Sequence, residues 1–331
     1  MQSTQTILSN KKPTLVSFII TYYNLPIDIL CECIDSVLAL SLSRAEREII
    51  IVDDGSDYSP MNDLLKYGED IKYVRKANGG VSTARNTGLK MAEGEFIQFI
   101  DGDDMLLGNH YEHCLDIIRY NETDMVVFDF TNKRTGNRPA VTDDTQFSGT
   151  EYMHNNNIRG MVWCYLFRKT VAGKLSFRPG IRYGEDEEFT PQLLLRADIL
   201  HRTNATAYFY RERSDSAINK NDLRSKLERI DDNLKVILHL QDISFNLPAS
   251  DTVALQRRIA QLTMDYIYNM IVLTRSKDFI TKKLDVLLAK GLFPLPDRDY
   301  TAKYKWFRRM TNSRIGLNIL IGALPLLKRE K

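Results

Sequence analysis

Cysteine is scarce: Cys31, Cys33, Cys114 and Cys164 are the four in 331 residues. So few in so long a chain exclude a disulfide framework, and the absence of any C-x-x-C pair excludes a zinc ribbon. Cys31 and Cys33 fall in a segment with helical spacing, where thiols two apart point to different faces. No apolar run reaches the ~20 residues that a spanning helix requires. The opening MQSTQTILSNKKP lacks the apolar stretch of a secretory leader, so a cytoplasmic protein is expected. Internal repeats and low-complexity linkers are also missing. Apolar residues are not: 43% hydrophobic and 10% aromatic content can build a core, which excludes wholesale disorder.

Net charge is small, +2, but polarised. Residues 301–331 hold eight basic side chains against the single acid Glu330, a net +7, which leaves −5 on the first 300. A basic tail of this kind suits an anionic surface. Within it, Lys303, Lys305, Arg308 and Arg309 surround Trp306 and Phe307, and Ile315–Leu327 is apolar but only 13 residues long. Two readings follow: an amphipathic segment lying on an anionic membrane surface, or final helices packed on the protein with their charges solvated. Nucleic acid is not expected as a partner.

The first half alternates strand and helix signals. Leu15–Thr21 is a continuous apolar run, as in a strand buried on both faces. Ile27, Leu30, Cys31, Ile34, Val37 and Leu38 follow helical spacing. Strands are predicted at 48–52, 71–74, 96–100 and 125–130, with helices at 82–92 and 109–119. This β-α-β order implies an α/β fold with a mostly parallel sheet flanked by helices, whose ligands bind at the carboxyl ends of the strands. Beyond Thr131 the pattern loosens. Strands are predicted at 162–168 and 205–211 and a short helix at 186–196. Helices then run from Asp222 to about Lys290, with Leu223, Leu227, Ile230, Leu234 and Ile237 in step. The expected division is an N-terminal segment 1–13, a sheet domain 14–217, a helical extension 218–300 and the basic amphipathic tail 301–331.

Polar clusters stand where such a sheet would bind a ligand. Thr21-Tyr22-Tyr23-Asn24 follows the first strand, Asp53-Asp54-Gly55-Ser56 the second and Asp101-Gly102-Asp103-Asp104 the fourth. The last packs three carboxylates into four residues, a repulsion that a cation relieves. Carboxylate oxygens suit a hard ion, Mn²⁺ or Mg²⁺, and Gly102 permits the tight turn. Asp53 and Asp54 can accept from a base N–H or a ribose hydroxyl. Asn78, Gly79 and Gly80 form a glycine loop that enters a helix, a local design that binds anions. Arg85 either meets the donor or ties the acidic loops together. His110 and His113, near the acidic cluster at helical spacing, read as ordinary helix positions. Gly184-Glu185-Asp186-Glu187-Glu188 is an acidic helix first turn, which the macrodipole favours.

Together these residues resemble the family 2 inverting glycosyltransferases of GT-A fold. The likeness runs through SFIITYYN, IIIVDDGSDY, NGGVSTARNTGLKMAEGEFIQFIDGDD, VWCYLFRK, YGEDEEF and YFYRERSDSAI, over about residues 14–218, and is strongest toward bacterial enzymes of capsule, exopolysaccharide or O-antigen assembly. The resemblance implies a metal-dependent transfer of a sugar, with inversion, from a nucleotide-diphosphate sugar, by preference a UDP-sugar, to an acceptor hydroxyl on a glycan or a polyprenyl-diphosphate lipid. It implies that Tyr23 and Asp54 contact base and ribose with Asp53 beside them, and that Asp101 and Asp103 hold the metal and diphosphate. Asp186 would be the general base, Trp163 and Glu185 would line the acceptor side, and Arg213 and Ser214 would fall in a diphosphate-facing or lid segment. Thr21-Tyr22 stands where many relatives carry Pro-Val. A membrane-lipid acceptor would place the protein on the inner face of the cell membrane.

Two other readings stay open on residues alone. A sugar nucleotidyltransferase shares the sheet and the carboxylates, but Tyr23-Asn24-Leu25-Pro26 lacks the glycine-rich phosphate loop expected there. A non-catalytic nucleotide-sugar-binding protein could keep the fold.

Overall fold

The computed structural model describes residues 14–134, 140–142, 144–213, 222–298 and 301–327. The segment 1–13, Ser214 and the last residues of the basic tail, 328–331, lie outside the described residues. In chain order the strands are β1 (Val16–Tyr22), β2 (Arg47–Asp53), β3 (Ile71–Arg75), β4 (Phe96–Asp101), β5 (Met105–Leu106), β6 (Met125–Thr131), β7 (Asp144–Phe147), β8 (Tyr165–Arg168) and β9 (Leu200–Phe209). The helices are α1 (Ile27–Leu38), α2 (Met61–Leu64), α3 (Val81–Met91), α4 (Gly108–Tyr120), α5 (Gly149–Asn155), α6 (Lys169–Ala172), α7 (Glu185–Leu194), α8 (Leu223–Ser244), α9 (Ala249–Thr274), α10 (Lys277–Ala289), α11 (Ala302–Thr311) and α12 (Arg314–Leu327).

The chain folds as two compact units. The first takes the residues up to Gln146 with Trp163–Pro179 and Ile199–Arg211; the second takes Phe147–Val162, Gly180–Asp198 and the chain from Glu212 onward. The acidic segment at 184–188 therefore belongs with the C-terminal helices, not with the sheet.

In the first unit the strands form one sheet in the order β3-β2-β1-β4-β8-β6-β9-β5, with β7 paired to β9. The pairs β3·β2, β2·β1 and β1·β4 are parallel. The expected parallel sheet thus holds for these strands and for β6·β9, while β8 runs antiparallel to both β4 and β6. The predicted strand at 162–168 opens instead as a 3-10 turn over Val162–Cys164. The buried Gln98 side chain stabilises that turn, its Nε2 donating to the Trp163 carbonyl at 3.0 Å while its Oε1 accepts from the Tyr111 hydroxyl at 3.1 Å. An unpaired amide would be expensive there; a fully bonded one fixes β8 in register.

The parallel registers decide where the chemistry stands. Tyr22 lies opposite Asp53 and Thr21 opposite Asp101. The carboxyl ends of β1, β2 and β4 therefore finish level, and the turns that follow share one sheet edge, as the crossover rule requires.

In the second unit, α8 and α9 carry the core. The buried residues of α8 include Ile230, Asp232, Val236, Ile237 and Leu240, whereas Leu223 is exposed. The predicted stripe is thus displaced at its start. Leu223 is the first residue of the helix, and Asp232 takes a core position because its Oδ2 accepts from the amides of Arg182 and Tyr183 at 2.9 and 3.3 Å. Asp222 caps the helix by accepting from Ser225 N at 2.9 Å. The two last helices pack within this unit. Phe307 and Leu320 are buried, and Tyr304 donates its hydroxyl to Asp265 on α9 at 3.0 Å. No helix among the described residues is long and apolar enough to cross a membrane.

Candidate active site

The Asp53-Asp54 turn is a self-contained hydrogen-bonded device. Asp53 is fully buried; its Oδ1 accepts from Ser56 N at 2.8 Å and its Oδ2 from the Tyr73 hydroxyl at 2.8 Å. Asp54 continues the parallel ladder with its amide donating to the Tyr22 carbonyl at 2.9 Å. Its carboxylate then reaches across to the glycine loop. Oδ1 accepts from Lys76 Nζ at 2.5 Å and from Gly79 N at 3.0 Å, and Oδ2 accepts from Gly80 N at 2.7 Å. Asn78 Nδ2 closes the loop on the Asp54 carbonyl at 2.9 Å. The anion at the start of α3 is therefore the protein's own Asp54, which takes both glycine amides that the sequence offers to a ligand. Asn24 makes the matching clip on the other side, exchanging bonds with Asp57 at 2.8 and 3.0 Å. Tyr23 between these clips is half exposed.

The acidic cluster after β4 lies against β1. A Cβ on Gly102 would come within 2.7 Å of the Thr21 carbonyl oxygen, so only glycine lets the turn seat there. Gly102 N donates to that same oxygen at 3.0 Å. Asp101 accepts at Oδ1 from Arg85 Nη2 at 2.9 Å and, weakly, from Thr21 Oγ1 at 3.5 Å. Arg85 itself is buried and lies over the Phe177 ring. Of the two roles considered for Arg85, the tie to the acidic loop is the one present in the structure.

Asp104 is buried beneath the cluster. It accepts from the Tyr208 hydroxyl at 2.7 Å and from Arg211 N at 2.7 Å. Burial, together with the charges of Asp101 and Asp103, pushes its pKa up to about 8. Asp103 is less buried, and its carbonyl accepts from Arg211 Nε at 2.7 Å. Arg211 also pairs with Glu32 at 2.6 Å, and that guanidinium holds the Glu32 carboxyl below its usual range.

This donor set suits a hard divalent cation. The electrostatic crowding that raises Asp104 is relieved by a positive charge among the carboxylates. No group of three or more His, Cys, Asp or Glu side chains able to hold a metal occurs among the described residues. An ion here would take one or two carboxylates from Asp101 and Asp103 and fill its remaining positions with phosphate oxygens or water, the usual Mg²⁺-type arrangement.

Trp163 is buried and stacks on Tyr208 at 4.3 Å between centroids, with Phe130 edge-on at 5.1 Å. Tyr208 links this stack to the acidic turn through its hydroxyl. In the second unit, Gly184 is the N-cap of α7 and Glu185, Asp186, Glu187 and Glu188 fill its first turn. Asp186 Oδ2 accepts from Val162 N at 3.2 Å, which orients the carboxylate and leaves it partly exposed. Glu188 is buried and paired with His239 at 2.6 Å. Arg213 is half-buried.

The first unit thus brings together Thr21, Tyr23, Asn24, Asp53, Asp54, Asn78, Gly79, Gly80, Arg85, Asp101, Gly102 and Asp103, while Glu185 and Asp186 stand in the second. Lys76, Tyr208, Arg211 and Glu32 were not singled out from the sequence. Lys76 could have been, because it follows β3 at the same sheet edge as the acids. Arg211 lies in YFYRERSDS, but no local pattern shows that it returns to Asp103.

Residues 17–178 match the family model described as glycosyl transferase family 2. Among curated proteins the chain is 32% identical over 217 residues to EpsJ, a glycosyltransferase of Bacillus subtilis, covering 61% of this chain and 62% of EpsJ, so it spans less than two thirds of that relative. Among solved structures it superposes on S. aureus TarS 1–349 in complex with UDP-GlcNAc with a TM-score of 0.66 at 17% identity, covering 96% of this chain and 92% of TarS 1–349. It also superposes on a mannosyltransferase of Pyrobaculum calidifontis in complex with GDP-Man and Mn²⁺, with a TM-score of 0.56 at 13% identity, covering 97% and 91%. At such identities the structural likeness speaks for the fold.

Proposed function

The chain belongs to glycosyl transferase family 2 through residues 17–178, and from that premise we propose that it moves a sugar from a nucleotide-diphosphate sugar, with UDP as carrier, to an acceptor hydroxyl in the assembly of a bacterial surface polysaccharide. The observation that carries this reading is the level sheet edge, where the Asp53-Asp54 turn and the Asp101–Asp104 turn flank the end of β1. A nucleoside fits beside the first turn, with Tyr23 as a stacking face, and a diphosphate beside the second. TarS, of similar fold, binds UDP-GlcNAc.

Asp101 and Asp103 would hold Mn²⁺ or Mg²⁺, which supplies charge neutralisation for the departing diphosphate. The chain's own residues do the rest. Thr21, Arg85 and Tyr208 fix the acidic turn, and Lys76 with Asp54 fixes the glycine loop. Asp186 is the general base: it accepts the proton of the acceptor hydroxyl as that oxygen attacks the anomeric carbon, an assistance of about 10²–10⁴-fold. The amide of Val162 holds its carboxylate ready. Attack opposite to the departing diphosphate inverts the anomeric centre, so an α-linked donor gives a β-linked product. Glu185 borders the acceptor, and Trp163 supports that side through its stack on Tyr208. Arg213 is assigned to the diphosphate side.

The acceptor is a glycan or a polyprenyl-diphosphate-linked saccharide, the latter at the inner face of the membrane. The final helices support this. Trp306, Ile315 and Ile319 are exposed on α11 and α12, among Lys303, Lys305, Arg309 and Arg314. Exposed apolar side chains within a basic field match an anionic membrane surface.

A panel of UDP- and GDP-sugars with Mn²⁺ tests the proposal. The expected result is a raised melting temperature with at least one UDP-sugar, because a ligand of the native state stabilises it. The same sugar should release UDP on incubation. Pyrophosphate release from UTP and a sugar phosphate would favour a nucleotidyltransferase, and binding without turnover a non-catalytic protein.

A further inference from the structure

In the second unit the acids on the first turn of α7 meet partners from different helices. Glu187 is in close contact with Arg258 of α9, and Glu188 is bonded to His239 of α8 at 2.6 Å. Asp186, which lies between Glu185 and these two, accepts the backbone amide of Val162 at 3.2 Å.

Asp186 and Glu187 face one short segment. Val162 meets Asp186, and two residues earlier Gly160 lies against Glu187, where a Cβ would stand 2.1 Å from the Glu187 carboxyl carbon. Only glycine leaves the room in which Glu187 reaches Arg258. The Gly160 carbonyl accepts from the Thr190 hydroxyl at 2.7 Å, a buried bond to the next turn of α7. The 160–162 segment is thus fastened to α7 at both of its ends.

Arg258 is 8% exposed. Burying a guanidinium is costly, and an apolar pair of the same volume would serve stability as well or better, so stability does not account for the ion pair. Its charge does have a use beside the acids of α7. Asp265, also on α9, is raised by burial, against the bond from the Tyr304 hydroxyl and the charges of Arg258 and, from α11, Lys303. Glu187, in direct contact, is therefore the acid that Arg258 neutralises. Without that cation the Glu187 charge would favour a protonated Asp186, which cannot accept a proton.

We propose that Arg258 is a positioning residue for Asp186: by holding Glu187 in the space beside Gly160, it seats the first turn of α7 on the 160–162 segment and cancels the adjacent charge, so that Asp186 stays ionised. Arg258 acts through Glu187. The use of Asp186 as a proton acceptor in sugar transfer rests on the function proposed above.

Titration of Asp186 in the full chain tests this. Aspartate is labelled with ¹³C at the side-chain carboxyl, and the Asp186 signal is identified by its loss in Asp186→Asn. Arg258→Met leaves the Glu187 charge uncompensated and should raise the Asp186 midpoint by about 0.5 pH unit, the order expected for one charge on a neighbouring side chain. Glu187→Gln is the milder variant for folding, because the amide oxygen still accepts from Arg258. It leaves the cation uncompensated and should lower the midpoint by a similar amount. The double variant should return toward wild type. A merely loosened turn would move both single variants the same way, so opposite signs identify the charge. Midpoints that stay put, or that move together, overturn the proposal. UDP release from the UDP-sugar panel is followed against pH as a separate readout, and its acidic limb should track the midpoints. A limb that ignores a shifted midpoint, or no release from the wild-type chain, overturns the proposed function instead and leaves the coupling between Arg258 and Asp186 standing.

Discussion

Arg85 donates to Asp101 Oδ1 at 2.9 Å from a position only 3% exposed. A buried guanidinium tied to the first carboxylate of the acidic turn holds that turn to α3, and α3 begins at the glycine loop clamped by Asp54. The two polar turns at this sheet edge are therefore mechanically linked through one short helix.

Arg85→Met removes the link while keeping the apolar stem. It is expected to destabilise the protein by about 2 kcal/mol, the low side for a buried ion pair because Asp101 keeps contact with water. It should also weaken UDP binding in the presence of Mn²⁺, since it displaces the carboxylate proposed to hold both. Urea unfolding and calorimetric titration with UDP check these together. Unchanged stability would show that the pair holds nothing in place.

Glu48 gives a pH prediction from the core of the sheet. It is buried, which alone raises its pKa, but Lys72 Nζ at 2.5 Å, the Ser17 hydroxyl and Glu93 N at 2.8 Å all donate to it. The balance leaves it below the ordinary 4.5. A carboxyl depressed in the folded state adds stability that is fully present above its unfolded pKa and is lost as pH falls through the folded value. Glu48→Gln should thus lose about 1–3 kcal/mol at neutral pH, and the gap to wild type should close below about pH 4. A gap that stays constant between pH 7 and pH 3.5 would contradict this.

Much of the sheet edge that carries the polar turns was legible in the sequence because it rests on local patterns. The apolar runs of β1, β2 and β4 mark buried strands, and the residues directly after them stand at the ligand-binding end. What was not legible depends on contacts between distant segments. Arg211 reaches Asp103 from 108 positions away, and Asp232 takes a core position on α8 only because two amides from 182 and 183 need an acceptor. The membership of 147–162 and 180–198 in the helical unit is of the same kind, since packing partners leave no periodic trace in a loop-rich stretch.

Asp186→Asn is the sharpest test of the chemistry. The amide keeps the size of the carboxylate and can still accept from Val162 N, so the first turn of α7 should fold unchanged. It cannot take the acceptor proton. Donor affinity should stay within about twofold, whereas the transfer rate should fall by roughly 10²–10⁴. Single-turnover transfer beside calorimetric UDP-sugar binding separates the two quantities. A wild-type rate in this variant removes Asp186 from the reaction.

The final helices are tested with membranes. Trp306, Ile315 and Ile319 are 53%, 76% and 53% exposed, while Phe307 and Leu320 on the same helices are buried in the second unit. The inward side chains account for folding, so replacing the outward ones should leave stability nearly untouched. Burying an apolar side chain contributes about 1.5–3 kcal/mol, and each nearby basic residue adds about 1 kcal/mol at an anionic surface. The full chain should float with vesicles that contain phosphatidylglycerol and sink with pure phosphatidylcholine. Added salt should reduce flotation, because it screens the basic field within a Debye length. Trp306→Ser combined with Ile315→Ser and Ile319→Ser should weaken flotation, and abolish it at high salt where the retained basic residues are screened, without lowering the melting temperature. Equal flotation of this triple variant and the wild type would mean that the helices are held only by their packing on α9 and do not meet lipid.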